Sequence, residues 1–114
     1  PLEIFGDGMQ KRDFVAVQDV IGAIDNSIEY GKNGIYNIAS GKTSTIKEIA
    51  EMMISLSGKN LKIEFLSSKK GDIKYSQADI SLAKNELNYF PKFNLKEIKN
   101  LLKQWYRYDD NFRN

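Results

Sequence analysis

The sequence predicts an α/β chain, α+β if these 114 residues stand alone, with a small mixed sheet, an N-terminal hairpin and about four helices. Three observations carry this reading. Strand-like runs interleave with helix-like runs. Apolar residues recur at helical spacing in some segments and at alternate positions in others. Helix start signals, such as Thr45 with Glu48 and Asn94 with Glu97, stand just before apolar stripes.

Leu2 to Phe5 is a short apolar strand, and Gly6-Asp7-Gly8 is a turn signal. Arg12 to Val17 alternates, with Arg12, Phe14 and Ala16 on one face and Asp13, Val15 and Val17 on the other, which predicts the second arm of a hairpin. A helix is expected from about Asp19, where a carboxylate suits a helix N-terminus. Val20, Ile21, Ile24 and Ile28 recur along it, and Gly31 is its stop. Ile35 to Ala39 reads as a short buried strand closed by Ser40-Gly41.

Thr45 and Glu48 form a capping box, followed by a stripe of Ile46, Ile49, Ala50, Met53 and Leu56 and a stop at Ser57-Gly58. Leu61 to Phe65 alternates as a half-buried strand. Ser67 to Tyr75 is a polar loop around Gly71. Asp79 N-caps a short helix carrying Leu82, Ala83 and Leu87. Pro91 blocks its continuation, and Asn94 opens the last helix, with Leu95, Ile98, Leu101, Leu102 and Trp105 on one face. The polar tail from Tyr108 to Asn114 is expected to fray.

Composition narrows the function classes. The length suits one domain, and 41% hydrophobic with 28% charged residues suits a soluble globular chain with a small core. A net charge of +2 without a long basic block gives nucleic-acid binding no support. Without cysteine or histidine there are no disulfides, Cys-based zinc sites, thiol nucleophiles or histidine bases. No metal site is expected. No apolar run approaches the ~20 residues that span a bilayer, so no membrane partner is expected and a cytoplasmic location is the default.

Two motifs tempt and fail. Ser40-Gly41-Lys42-Thr43 lies between strand and helix like a P-loop, but the glycine required five positions before Gly41 is Tyr36. Gly31 to Gly34 follows a helix instead of preceding one and lacks the third glycine of a dinucleotide fingerprint. The aromatic group Tyr89, Phe90, Phe93, Trp105 and Tyr106 is read as core and helix packing, not as a stacking platform for bases.

The stretch from Gly6 to Val20 resembles the "GDG-x-Q-x-RDF-x-x-V-x-D-V" signature of the extended short-chain dehydrogenase/reductase family, the NAD-dependent nucleotide-sugar epimerases and dehydratases. "YNIASGKTSTIKEIAE" is similar to a second block of that family, and the run from Lys69 through "GDIKYSQADISLAKNELNYFPK" to a third. Three ordered blocks are far more specific than one. The resemblance is greatest to UDP-sugar 4-epimerases. It implies that residues 1–114 are the C-terminal, substrate-binding part of a Rossmann-type enzyme whose N-terminal NAD-binding domain lies outside this chain. NAD would then belong to the parent, a homodimer, and a nucleotide sugar of the UDP-sugar type would be the partner. The family's catalytic Tyr-x-x-x-Lys pair is absent, so no catalytic residue is assigned here.

By resemblance, Arg12 holds the substrate diphosphate, for which a guanidinium fork is suited. The bland alternative is a surface arginine paired with Asp13 or Asp7. Asp72 stands where the family's aspartate lies near the ribose, whose hydroxyls a carboxylate accepts from; its bland role is a turn aspartate. Lys69 replaces the family's second arginine and loses the planar fork, with Lys70 as a neighbouring candidate. The isolated chain is expected to lack redox activity and to expose apolar surface that favours self-association. The alternatives are a 4,6-dehydratase acting on dTDP- or GDP-sugars, or a stand-alone nucleotide-binding or interaction module.

Overall fold

The computed structural model describes residues 1–113, with side chains through Arg107. In chain order the elements are β1 (Leu2–Phe5), β2 (Lys11–Arg12), α1 (Val17–Tyr30), β3 (Ser44–Thr45), α2 (Ile46–Ser57), β4 (Ile63–Leu66), α3 (Ser81–Leu87) and α4 (Leu95–Arg113). The α/β class and the four helices agree with the sequence reading.

The N-terminal hairpin does not form. β1 pairs in parallel with β4, Leu2 opposite Ile63, while β2 pairs antiparallel with β3, Lys11 opposite Thr45 and Arg12 opposite Ser44. The glycine turn separates β1 from β2 and sends them to different partners. Beyond Arg12 the backbone leaves the ladder, because the Asp13 carboxylate is drawn to the Ser40–Gly41 turn.

Ile35 to Ala39 is not a strand either. Among the described residues nothing pairs with it, and Ile35 is 93% exposed.

Local signals place the helices. At α2 the Thr45 hydroxyl accepts from the Glu48 amide at 3.1 Å, and the Glu48 carboxylate accepts from the Thr45 amide at 2.8 Å. Gly58 ends α2 in the left-handed region at φ 64. Asn94 and Glu97 make the same reciprocal cap on α4. Asp79 acts one residue before the N-cap of α3, accepting from the Ser81 hydroxyl and amide, which hold its carboxyl below the usual range.

The core is small and rich in alanine. Ala23 of α1 meets Ala83 and Leu87 of α3, with Ala39, Ile80 and Tyr89 beside them. Small side chains let the two helices approach closely. The Tyr89 hydroxyl donates to the Ala39 carbonyl at 2.6 Å; burial, with Asp19 and Asp13 nearby, pushes its pKa up to about 12.

Helix α1 shows most of its apolar stripe to solvent, with Val20 of that stripe half-buried. Its inward edge carries Asp19 and Ala23, while Val17, Ile21, Ile24 and Ile28 face solvent, Ile28 at 83% exposure. Asp19, although in the first turn, spends its carboxylate on the amides of Lys92 and Phe93 at 2.9 and 3.0 Å.

Helix α4 packs on α2 through Leu95, Ile98, Leu101 and Leu102, all half-buried. Trp105 departs from that face at 58% exposure. The reason is length: α2 spans about 18 Å and α4 about 28 Å, so α4 overhangs. The helix runs on through the polar tail to Arg113, where fraying was expected; Asn114 lies outside the described residues. Phe90 also departs from the core reading, at 58% exposure. No described helix is long and apolar enough to cross a membrane.

Candidate functional site

Arg12 closes β2 and is fixed from both sides. The β2–β3 pairing holds one edge. On the other, Lys11 donates its amide to the Lys74 carbonyl at 2.8 Å and accepts from the Ser76 amide at 3.1 Å. That contact brings the loop from Ser67 to Tyr75 across the strand. Two short segments about 60 residues apart thereby meet around one guanidinium.

Arg12 Nη2 donates to Asp72 Oδ1 at 2.7 Å. Its Nη1 donates to the carbonyls of Lys11 and Ile73. The arginine pairs with neither residue of the bland alternative. Asp13 serves the Ser40–Gly41 turn, and Asp7 accepts from the Met9 amide at 2.9 Å. Asp72 is a turn aspartate as well, since its amide donates to the Lys69 carbonyl at 3.2 Å and Gly71 between them sits at φ 84. The two readings of Asp72 are therefore compatible.

Lys69 rests its ammonium over the Phe5 ring, 3.9 Å from the centroid. Arg12, Lys69 and Asp72 line one cleft of about 480 Å³, together with Lys70 and Gly71. An adjoining cleft of about 410 Å³ shares Lys69 and Asp72. The structure thus brings the three sequence-derived residues to one place.

Gln10 is a site residue that sequence reasoning quoted without giving it a role. Its side-chain amide donates to the Phe5 carbonyl at 2.8 Å and reaches Asp72 Oδ2 at 3.4 Å. The available signal was its spacing, two residues before Arg12, which puts both on one side of an extended strand. The cleft presents cations of two kinds, a fixed fork and two ammonium groups, with the carboxylates of Asp72 and Glu3 among its lining residues. That set suits an anion carrying several oxygens and a neighbouring hydroxyl-bearing group.

Comparison with known proteins places the chain in a family. A family model described as GDP-mannose 4,6 dehydratase matches residues 1–101. The chain belongs to the extended short-chain dehydrogenase/reductases. This member is 39% identical over 98 residues to UDP-glucuronate 4-epimerase of Thermodesulfobacterium geofontis, covering 85% of the chain and 30% of that relative. It superposes on UDP-glucose 4-epimerase of Thermotoga maritima, solved with UDP-glucose, with a TM-score of 0.87 and 31% identity, covering 95% of the chain and 35% of that structure. It also superposes on dTDP-glucose 4,6-dehydratase of Bacillus anthracis, solved with NAD, with a TM-score of 0.81 and 30% identity, covering 96% and 35%. The extended short-chain dehydrogenase/reductase chain described here thus spans about a third of the length of these relatives.

Proposed function

We propose that this chain is the substrate-holding part of an NAD-dependent nucleotide-sugar 4-epimerase of the UDP-sugar type. The observation that carries the reading is the convergence of Arg12, Lys69 and Asp72 on one cleft. The epimerase relatives and the structural likeness to an enzyme solved with UDP-glucose support it.

In this reading Arg12 grips the diphosphate. Its ion pair with Asp72 is half-exposed, so giving it up costs at most about 1 kcal/mol. Asp72, released from the guanidinium, is then free to accept from the ribose hydroxyls. Lys69 leaves the Phe5 ring at similarly small cost, since an exposed cation–π contact is worth about 0.5–1 kcal/mol. Gln10 keeps the Asp72 carboxylate oriented during the exchange. Hydride removal from C4 of the sugar, and its return to the opposite face, is the chemistry NAD supplies when bound to the parent. The residues of this chain hold the nucleotide while the sugar turns.

We infer further that a cofactor-binding part of the parent covers α1 and the segment Ile35–Ala39. Val17, Ile21, Ile24 and Ile28 form an outward apolar stripe, and Ile35 stands 93% exposed at the start of a segment without a strand partner. The unaccompanied chain is then expected to self-associate in sedimentation at high concentration, and Ile24→Glu with Ile28→Glu to restore a monomer. A sharp monomer for the unaltered chain removes this inference.

The deciding experiment is a two-dimensional amide NMR titration of the labelled chain with UDP and then dTDP. Shifts are expected at Arg12, Lys69 and Asp72, weakened about tenfold by Arg12→Lys, which loses the bidentate fork. Shifts elsewhere, or an Arg12→Lys variant that binds equally well, count against the assignment. The 4,6-dehydratase reading is favoured by the family model's description. Product analysis of the parent separates epimer from 4-keto-6-deoxy sugar.

A further inference from the structure

A cavity of about 640 Å³ lies apart from the Arg12 cleft and shares no lining residue with it. Its walls come from Phe14 ahead of α1, the segment after Ala39, Lys84 of α3, and the loop and first turn that open α4. Lys42, Lys84, Lys92 and Lys96 line it, and no carboxylate does. The ion pairs among the described residues, Arg12 with Asp72 and Lys47 with Glu51, involve none of these lysines. Phe14, Phe90 and Phe93 line it too, together with Ser40 and Thr43.

The walls are rigidly built. Asp13 fixes the turn by accepting from the Ser40 and Gly41 amides at 2.8 and 2.9 Å. Asp19, buried on the inward edge of α1, fixes the opposite wall through the Lys92 and Phe93 amides. The Asn94–Glu97 cap sets the start of α4 and occupies the Lys96 and Glu97 amides, so positive potential in the cleft comes from the lysine side chains. An exposed phenyl ring costs solubility without adding to the core, and here Phe90 stands beside unpaired cations.

We propose that this cleft binds a small phosphorylated molecule carrying a planar ring, of the nucleoside monophosphate class, as a second site separate from the Arg12 cleft. The volume lies within the range of about 300–1,000 Å³ that small-ligand sites occupy. The lysines meet the phosphate as point charges. Phe90 and its neighbours offer a face on which a planar ring stacks, a contact tolerant of ring identity.

The test is a titration of the 114-residue chain with adenosine monophosphate and with inorganic pyrophosphate, followed by calorimetry and amide NMR. A dissociation constant below about 1 mM is expected for the nucleotide, with shifts at Lys42, Thr43, Phe93 and Lys96. Lys92→Gln with Lys96→Gln is expected to weaken binding about tenfold. These lysines are exposed, and loss of a cation from the first turn of α4 does not harm that helix. Phe90→Ala is expected to weaken the nucleotide roughly tenfold and leave pyrophosphate unchanged. Arg12→Ala is expected to leave nucleotide binding and the shifts at Lys42, Thr43, Phe93 and Lys96 unchanged, and to remove only pyrophosphate held in the first cleft. Nucleotide binding lost in Arg12→Ala would move that ligand to the first cleft and overturn the proposal. Absence of binding overturns it, as does pyrophosphate matching the nucleotide with Phe90→Ala silent, which would leave a bare cationic surface.

Discussion

Replacing Asp19 with alanine tests how the two halves of the chain are joined. Asp19 is 6% exposed, and its carboxylate accepts from the Lys92 and Phe93 amides, 73 and 74 residues away. A hydrogen bond to a charged group contributes about 1.5–3 kcal/mol. Lys92 is exposed and Phe93 half-buried, so water reaches the abandoned amides and the low end applies to each. The expected loss is about 3 kcal/mol. With an unfolding entropy of about 2.1 cal/mol/K per residue, that lowers Tm by roughly 12 °C for a chain of this length. Asp19→Asn keeps one acceptor and is expected to lose about half as much. Urea unfolding followed by circular dichroism reads both variants. An Asp19→Ala midpoint equivalent to less than about 1 kcal/mol, at unchanged slope, would refute the idea that this carboxylate holds the loop before α4.

Three further outcomes follow from local geometry. Thr45→Ala removes one half of a buried capping box and is expected to cost about 1–2 kcal/mol in the same urea assay. Gly41→Ala is expected to cost more than Gly58→Ala, although both glycines have positive φ: a methyl at 41 meets Ile80 Cδ1 at 3.1 Å, whereas one at 58 meets nothing within 4 Å. Gly58→Ala should then show only the left-handed strain of about 1–2 kcal/mol, and equal losses would contradict the steric argument. Tyr89 supplies a pH dependence. Its folded pKa, about 12, lies above the ordinary 10.0, so its stabilising contribution is complete below pH 10 and is lost as pH rises toward 12. Tyr89→Phe is expected to flatten that alkaline decline in urea midpoints, and an unchanged decline would assign it to other groups.

Signals confined to a few neighbouring residues were legible in the sequence. The caps at Thr45 and Asn94 and the stop at Gly58 involve backbone groups within three residues, so spacing alone specifies them. The resemblance also pointed to Arg12, Lys69 and Asp72, which the fold brings together. Non-local choices were hidden. β1 finds its partner about 60 residues away, and nothing in the alternation of Leu2–Phe5 or Arg12–Val17 distinguishes that pairing from a hairpin. The isoleucines of α1 have correct helical spacing, but periodicity identifies a stripe without saying what covers it. Asp19 looked like a helix-end carboxylate because its true partners lie beyond α3. Gln10 had only its spacing from Arg12 as a signal, and its contact with Asp72 emerged once that loop was placed beside it.

The Asp13 carboxylate has a consequence for the loop it holds. Both its oxygens sit in a cup of donors, the Ser40 hydroxyl and the Ser40 and Gly41 amides. The chain carries its own plug in the place where a P-loop would admit a phosphate. Shortening residue 13 to glycine would empty the cup and leave its donors facing a hole shaped for a carboxylate. Acetate or formate from solution then becomes the natural replacement, so chemical rescue of that variant's stability by a dissolved anion would reveal a latent oxyanion receptor.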